Sequence, residues 1–257
     1  LREWIDRIEV HRHDGSTEHL IAIVGRAAPD VVVHLAAVST VRHSPGLVAP
    51  MLQSNVVFGT QLLEAMTVHG VSRLINTGTY SQHYDNREYG PSSLYDATKQ
   101  AFRTILQYYA ETTPLHSITL ELFDNYGPGD PRPKIMSLLQ RTSREGETLA
   151  MTPGEQLIDL VYIDDVAEAY ALAAERLLSG NAGKDETFAV SSGRPIRLRE
   201  LVRVYERVTR CRLSIEWGGR PYRSREIMVP WNKGKPLPGW KPAVSLEEGI
   251  RRTTGAT

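Results

Sequence analysis

Pro29-Asp-Val-Val-Val-His-Leu-Ala-Ala37 is a Pro-Asp turn followed by a short, β-branched apolar run. Apolar residues on consecutive positions mark a strand covered on both faces, as strands of parallel sheets are. Outward from this run the chain alternates between two periods. Asn55 to His69 places Val56, Leu62, Leu63 and Met66 on a helix that stops before Gly70. Arg73-Leu-Ile-Asn-Thr77 reads as a strand, Tyr95 to Thr112 as a helix closed by Pro114, and Ser117 to Phe123 as a further strand. This alternation predicts an α/β chain with a parallel sheet, with Val31–Leu35, Leu74–Thr77 and Ile118–Leu122 as central strands. After Tyr126 the rhythm changes. Gly127-Pro-Gly-Asp-Pro-Arg-Pro133 is a turn-rich loop. Asp164-Asp165 stand where they would cap an Ala-rich helix over Val166–Leu178, and another helix spans Leu198 to Thr209.

The chain has 257 residues, enough for one large α/β domain or a domain with a smaller appendage. Its 30 basic and 30 acidic residues give no reason to expect nucleic acid or an anionic membrane surface as a partner. Cys211 is the single cysteine, so there is no intrachain disulfide and no cysteine-based metal site. His11, His13, His19, His43, His69, His83 and His116 show no metal-ligand spacing, and no metal is expected. No apolar run approaches the ~18 residues of a membrane span. A cytoplasmic protein is the expectation. The chain begins Leu1-Arg-Glu-Trp-Ile-Asp6 without an initiating Met, which suggests that sequence is missing ahead of it.

Chemistry enters at Tyr95-Asp-Ala-Thr-Lys99 and, one loop earlier, Thr77-Gly-Thr79. Side chains four apart on a helix lie one above the other. An ammonium at Lys99 could therefore lie beneath the Tyr95 phenol. Tyrosine titrates near pH ~10 and needs a nearby positive charge to exchange protons at neutral pH. The Thr79 hydroxyl would add a second hydrogen bond to a reacting carbonyl or alcohol. Taken alone, the Tyr-Lys pair also reads as an amphipathic helix with an exposed lysine. His34 reads as a core histidine at a strand end, and Trp4, Trp217, Trp231 and Trp240 as packing residues.

Seven segments in order resemble the extended short-chain dehydrogenase/reductases, the NAD-dependent epimerases and dehydratases of nucleotide sugars. They are Asp30-x-Val-x-His34-Leu-Ala-Ala37, Asn55-Val-Val-Phe-Gly-Thr60-x-Leu-Leu-Glu-Ala65, Thr77-Gly-Thr79, Tyr95-x-x-x-Lys99, Leu122-Phe-Asp-Asn-Tyr-Gly-Pro-Gly-Asp130, Val161-Tyr-Ile-Asp-Asp165 and Gly239-Trp-x-Pro-x-x-Ser-Leu-Glu-Glu-Gly249. The resemblance implies a Rossmann-like doubly wound parallel sheet with a smaller C-terminal substrate-binding lobe. Residues 1–125 and about 159–180 would form the cofactor-binding core. Residues 126–158 and about 186–257 would form the lobe. Tyr95 would be the acid/base. Lys99 would hold the nicotinamide ribose and lower the Tyr95 pKa, and Thr79 would bond the reacting sugar oxygen. Asp14, after a first strand, would lie near the adenine. Leu35, Ala36 and Ala37 would run along the cofactor, and Asn55 would hold the active-site loops. Asp124 would contact the substrate, Lys134 and Arg223 its diphosphate, and Glu226 the nucleotide ribose. Arg220 and Arg225 are alternative phosphate ligands. NAD or NADP is the implied cofactor. A homodimer through helices 55–69 and 95–112 is the implied assembly.

Two departures narrow the reading. The Gly-rich turn that holds a pyrophosphate between a first strand and helix is not in this sequence, so about one βαβ unit, ~30 residues, is expected to be missing. Thr79 is followed by Tyr80 and Ser81 instead of the Asp-Glu pair that dehydration uses, which leaves ketone reduction or epimerisation. The run from Phe123 to Lys134, with Gly218-Gly-Arg-Pro-Tyr-Arg223, looks closest to the reductase and epimerase branch that makes deoxysugars such as abequose. The expected reaction is 4-ketoreduction of a 4-keto-6-deoxy sugar, with 4-epimerisation as the alternative. A dinucleotide-binding module without turnover is the alternative from another class.

Overall fold

The structure, a computed structural model, describes residues 5–256. Helix α1 (Thr17–Ala27) opens at Ser16, whose hydroxyl accepts the His19 N–H at 3.2 Å. Strand β1 (Val32–His34) follows. Helices α2 (Val48–Leu52) and α3 (Phe58–Val68) form one rod through a π-helical turn at Gln53–Val57. Next come β2 (Arg73–Thr79), α4 (Leu94–Thr112), β3 (His116–Leu122), β4 (Asp124–Tyr126) and α5 (Ile135–Glu145). The remainder is β5 (Leu149–Met151), β6 (Leu157–Ile158), β7 (Leu160–Tyr162), α6 (Ile163–Leu178), β8 (Asp185–Val190), β9 (Ile196–Arg197), α7 (Leu198–Thr209), β10 (Ile215–Trp217) and α8 (Leu246–Thr254).

Strands β1, β2, β3 and β8 form a four-stranded sheet in that order, and every neighbouring pair is parallel. The three strands expected from the sequence are thus adjacent and parallel, with Val33 opposite Ile75 and Ile75 opposite Ile118. Alternation along β2 sends Leu74 into a cluster with Leu63, Phe102 and Leu106 from α3 and α4. Its neighbour Ile75 joins Val166, Ala169 and Ala173 of α6 on the other face. Helices cover both faces, which is why the strands read as unbroken apolar runs. A further cluster gathers Tyr126, Met136, Leu139, Tyr162, Leu201, Tyr205 and Ile250 from the residues after the third sheet strand.

Four expectations are corrected. The helix expected to start at Asn55 begins at Val48, and Asn55 lies inside its π-helical turn. Pro50 is tolerated there because the first turn of a helix needs no amide donor. Asp164 and Asp165 do not cap α6; they lie in its first turn, and the Asp165 carboxylate accepts the Ala243 and Val244 N–H groups at 3.0 and 3.1 Å. No strand precedes Asp14 among the described residues, because the ladder of the sheet ends at β1. Finally, residues 186–190, expected in the smaller lobe, belong to β8 and extend the main sheet beside β3.

Candidate active site

The carboxyl ends of parallel strands are where open α/β sheets take ligands. At the end of β1 the chain leaves through Leu35, Ala36 and Ala37, of which Leu35 and Ala36 are exposed. The loop beyond is fixed by Asn55, which is buried. Its amide oxygen accepts the Val38 N–H at 2.8 Å, and its nitrogen donates to the Val38 carbonyl at 3.0 Å and the Thr98 hydroxyl at 2.9 Å. Asn55 is therefore a brace between this loop and α4, not a helix cap. The π-helical turn rotates its side chain out of the α-helical series toward Val38.

Helix α4 opens at Ser93, whose hydroxyl accepts the Asp96 N–H at 3.3 Å. The first turns hold Tyr95 and Lys99 on one face, with the Lys99 Nζ 5.9 Å from the centre of the Tyr95 ring. Lys99 is only 4% exposed, and its Nζ makes no hydrogen bond or ion pair with the described residues. Burial draws its pKa down to about 8. A buried cation without a protein acceptor fits a polyhydroxyl group such as a ribose.

The sequence reading had Lys99 lowering the Tyr95 pKa. Here burial raises Tyr95 above its ordinary value, and Ser39 is the strongest opposing influence. Lys99 lies over the ring, 5.9 Å from its centre, and is not among the groups that shift the Tyr95 pKa. Ser39, exposed in the loop after β1, is a contact that sequence reasoning missed.

Thr79 ends β2. Its hydroxyl is 2.8 Å from the Ser81 hydroxyl, and its backbone N–H donates to the Gln82 side chain at 3.0 Å, so it also caps the short turn Tyr80–Gln82. Gly78 just before it has no room for a side chain, since a Cβ there would meet the Glu121 Cγ at 2.9 Å. Glu121 pairs with His83 at 3.0 Å, and the His83 ring stacks on Trp231 with centroids 3.7 Å apart. The turn behind Thr79 is thus held against β3.

Burial alone would pull His83 down, but the Glu121 hydrogen bond and charge outweigh it and raise its pKa. A raised pKa contributes stability that is complete below the unfolded value near pH ~6.5 and lost as pH rises through the folded value. Thermal melts should therefore show the native chain losing its advantage over Glu121→Gln with rising pH. A gap that does not change with pH would remove this ion pair from the account.

The residues assigned from the sequence to a substrate gather around β4. Asp124 is half-buried, accepts the Tyr80 hydroxyl at 3.0 Å, and has its pKa raised by burial against the opposing charge of Lys134. The Tyr80 ring stacks on Phe123 at 4.6 Å, a placement that the sequence did not reveal. Lys134 donates to the Asn125 carbonyl at 3.3 Å and side-chain oxygen at 3.1 Å. Arg223 and Glu226, assigned from the sequence to different parts of a nucleotide, are bound to each other, with two guanidinium–carboxylate hydrogen bonds of 2.9 and 3.1 Å. Arg225 lies over the Tyr84 ring at 4.2 Å. Arg223 acts electrostatically on Tyr80, Asp96 and Asp124, and it is the arginine of this segment that reaches the cluster.

His34 is 2% exposed, packs edge-on to Phe102 at 5.0 Å, and has a pKa lowered to about 4 by burial and the Lys99 charge. It is a neutral core residue. Trp217 packs under Arg199 at 4.7 Å, and Trp240 donates to the Asp165 carbonyl at 2.8 Å. Trp4 lies outside the described residues. Asp14 is exposed at the start of α1. It accepts the Ser16 N–H at 2.8 Å and hydroxyl at 2.7 Å, contacts His19 at 3.2 Å, and has its pKa lowered to about 2, chiefly by the Ser16 N–H. Spacing gave no metal group, yet the fold brings the donor atoms of His13, Asp14 and His19 within 4.8 Å of one another. The turn at Ser16 that caps α1 makes this approach.

The model of the NAD dependent epimerase/dehydratase family matches residues 3–189. A CDP-abequose synthase of Salmonella muenchen is 27% identical over 255 residues, covering 98% of this chain and 82% of that protein. A UDP-glucuronate 4-epimerase of Thermodesulfobacterium geofontis is 28% identical, covering 86% of this chain and 70% of that protein. The solved UDP-glucose 4-epimerase of Thermotoga maritima with UDP-glucose superposes with a TM-score of 0.84 at 24% identity, covering 98% of this chain and 86% of that one. That likeness is one of fold, a Rossmann-type parallel sheet. Among the described residues no helix is long and apolar enough to cross a membrane.

Proposed function

The chain belongs to the NAD dependent epimerase/dehydratase family, and from that premise we propose that it is an NAD(P)-dependent oxidoreductase of a nucleotide-diphosphate sugar, a 4-ketoreductase of a 4-keto-6-deoxy sugar. The observation that carries this reading is the buried, unpartnered Lys99 on the same helix face as Tyr95. The nicotinamide cofactor, NAD or NADP, supplies the hydride chemistry when bound. Lys99 would hold its ribose, the backbone of Leu35, Ala36 and Ala37 would lie along it, and Asp14 would meet its adenine. Asn55 keeps the Val38 loop against α4, and Tyr95 exchanges the proton at the sugar oxygen. Asp124, Lys134, Arg223 and Glu226 would face the nucleotide sugar. Lys134 and Arg223 are suited to its diphosphate, since a guanidinium can bind two oxygens at once.

The larger unit, residues 1–125 and about 159–190, would hold the cofactor, and the remainder would close over the sugar. A 4-epimerase is the second reading. It is favoured by the epimerase among the relatives, and it needs the same Tyr95, Lys99 and Thr79. Nicotinamide absorbance with CDP- and dTDP-4-keto-6-deoxyglucose separates the readings. A reductase consumes reduced cofactor stoichiometrically, an epimerase interconverts UDP-hexoses without net cofactor change, and a binding module does neither.

Lys99→Met is expected to act in opposite directions on affinity and stability. Cofactor affinity and turnover should fall. The ligand-free protein should melt higher at neutral pH, because an unpaired buried charge is removed. Since the Lys99 pKa is lowered to about 8, stability of the native chain rises with pH above that value, and the gap to Lys99→Met should close there. A variant melting lower than the native chain at pH ~7 would show that Lys99 already has a stabilising partner.

We also propose a homodimer through the helical faces 55–69 and 95–112. Tyr108, at 61% exposed, and Val57 and Val68, at 39% and 59%, are the apolar residues left there for a partner. Sedimentation equilibrium should give twice the chain mass, and a monomer would end this part of the proposal.

A further inference from the structure

Asp96 is fully buried beside Tyr95, and three serine hydroxyls converge on it. Ser81 reaches Oδ1 at 2.5 Å, while Ser92 and Ser93 reach Oδ2 at 2.7 and 2.8 Å. A carboxylate only accepts, and a hydroxyl has one proton to donate and two lone pairs. The Ser81 proton therefore points at Asp96, at the length usual for a charge-assisted O–H···O bond. The Ser81 oxygen can then only accept from Thr79, 2.8 Å away. So the Thr79 proton points at Ser81. The Ser81 N–H, 3.4 Å from the Thr79 oxygen, uses one lone pair weakly, and the other is free.

We propose that Ser81 and Asp96 are positioning residues that fix the direction of the Thr79 hydroxyl, so that Thr79 meets a ligand as a hydrogen-bond acceptor and is matched there to a sugar hydroxyl, not to a carbonyl. The proposal rests on the nucleotide-sugar reading for its ligand and revises the role first given to Thr79. A ketone has no proton to offer Thr79, so Tyr95 is left as the donor to the carbonyl. Once the ketone is reduced, the new hydroxyl can donate to Thr79. The relay thus favours the alcohol form over the keto form, and Ser81 is the link that sets this preference.

Neutron diffraction from deuterium-exchanged crystals of the ligand-free chain tests the polarity without any substrate. The expected result is deuterium on Thr79 directed at Ser81 and deuterium on Ser81 directed at Asp96. Deuterium on Ser81 directed at Thr79, or on Asp96 itself, overturns the proposal.

The consequence for ligands is read by titrating the cofactor-loaded protein with UDP-glucose and with UDP-4-deoxy-4-fluoroglucose, whose fluorine cannot donate. The native chain should prefer the hydroxyl by about tenfold, the upper worth of one neutral hydrogen bond. Ser81→Ala releases the Thr79 proton and should remove most of that preference. Equal weakening of both ligands in Ser81→Ala is what a merely structural role would give, and it overturns the proposal. Should neither UDP-sugar bind the native chain, UDP-sugars are not its ligands, while the neutron result still decides the direction of the hydroxyl.

Discussion

Turnover in Tyr95→Phe is expected to fall by about 10²–10⁴-fold, the usual worth of a general acid–base group, while cofactor affinity is unchanged. The substitution removes one oxygen and keeps the ring. Lys99 lies against that ring, with Nζ 5.9 Å from its centre, so its packing and position persist. What is lost is the phenolic hydroxyl, whose pKa burial raises. Burial keeps this phenol protonated in the ligand-free chain, so its proton is in place when ketone reduction develops an alkoxide. The Thr79–Ser81–Asp96 chain cannot compensate, because its protons run away from the ligand toward Asp96. Single-turnover oxidation of reduced cofactor, with affinity measured separately, checks the prediction. If Tyr95→Phe keeps near-native turnover, Tyr95 is not the acid and the binding-module reading gains.

The parallel sheet was legible because strands covered on both faces are written as consecutive apolar residues, as in Leu74-Ile75 and Val31-Val32-Val33. Strand β8 was not legible as part of the main sheet, since its first half is Asp185-Glu-Thr187. Those polar residues are satisfied by arginines that sequence does not place nearby. Arg103 of α4 bonds Asp185 at 2.6 Å and Thr187 at 3.0 Å, and Arg176 of α6 holds Glu186 through two bonds of 2.8 Å. The Tyr95–Lys99 pair was legible because both residues lie on one helix, where spacing fixes geometry. Ser81 and Asp96 were not, because serine and aspartate are common in turns and at helix starts, and their meeting depends on how the Thr79 loop folds onto α4. Arg223 and Glu226 have the spacing of a helical ion pair without a helix, so their mutual bond was hidden behind separate ligand roles.

Phe102→Ala should destabilise the chain by about 3–5 kcal/mol, the range for removing a buried aromatic ring. Phe102 is 1% exposed and packs with Leu63, Leu74 and Leu106 between helices and sheet. The approach of α3 to this ring is close enough that a Cβ on Gly59 would lie 2.4 Å from it. Collapse into the gap is opposed from two sides. The β1–β2 ladder fixes His34 opposite Asn76, and the Asn55 brace holds the π-helical turn to Val38 and Thr98. A site that cannot close keeps its cavity, which places the loss at the upper end of the range. His34, which meets the ring edge-on at 5.0 Å, would lose its main neighbour while both its ring nitrogens still lack protein partners. Because Leu35, Ala36 and Ala37 continue directly from His34, cofactor affinity should weaken together with stability. Urea unfolding and cofactor titration on the same protein measure the two effects. A stability loss below about 1 kcal/mol, ordinary for a surface change, would mean that the ring is not the element joining α3, α4 and β1.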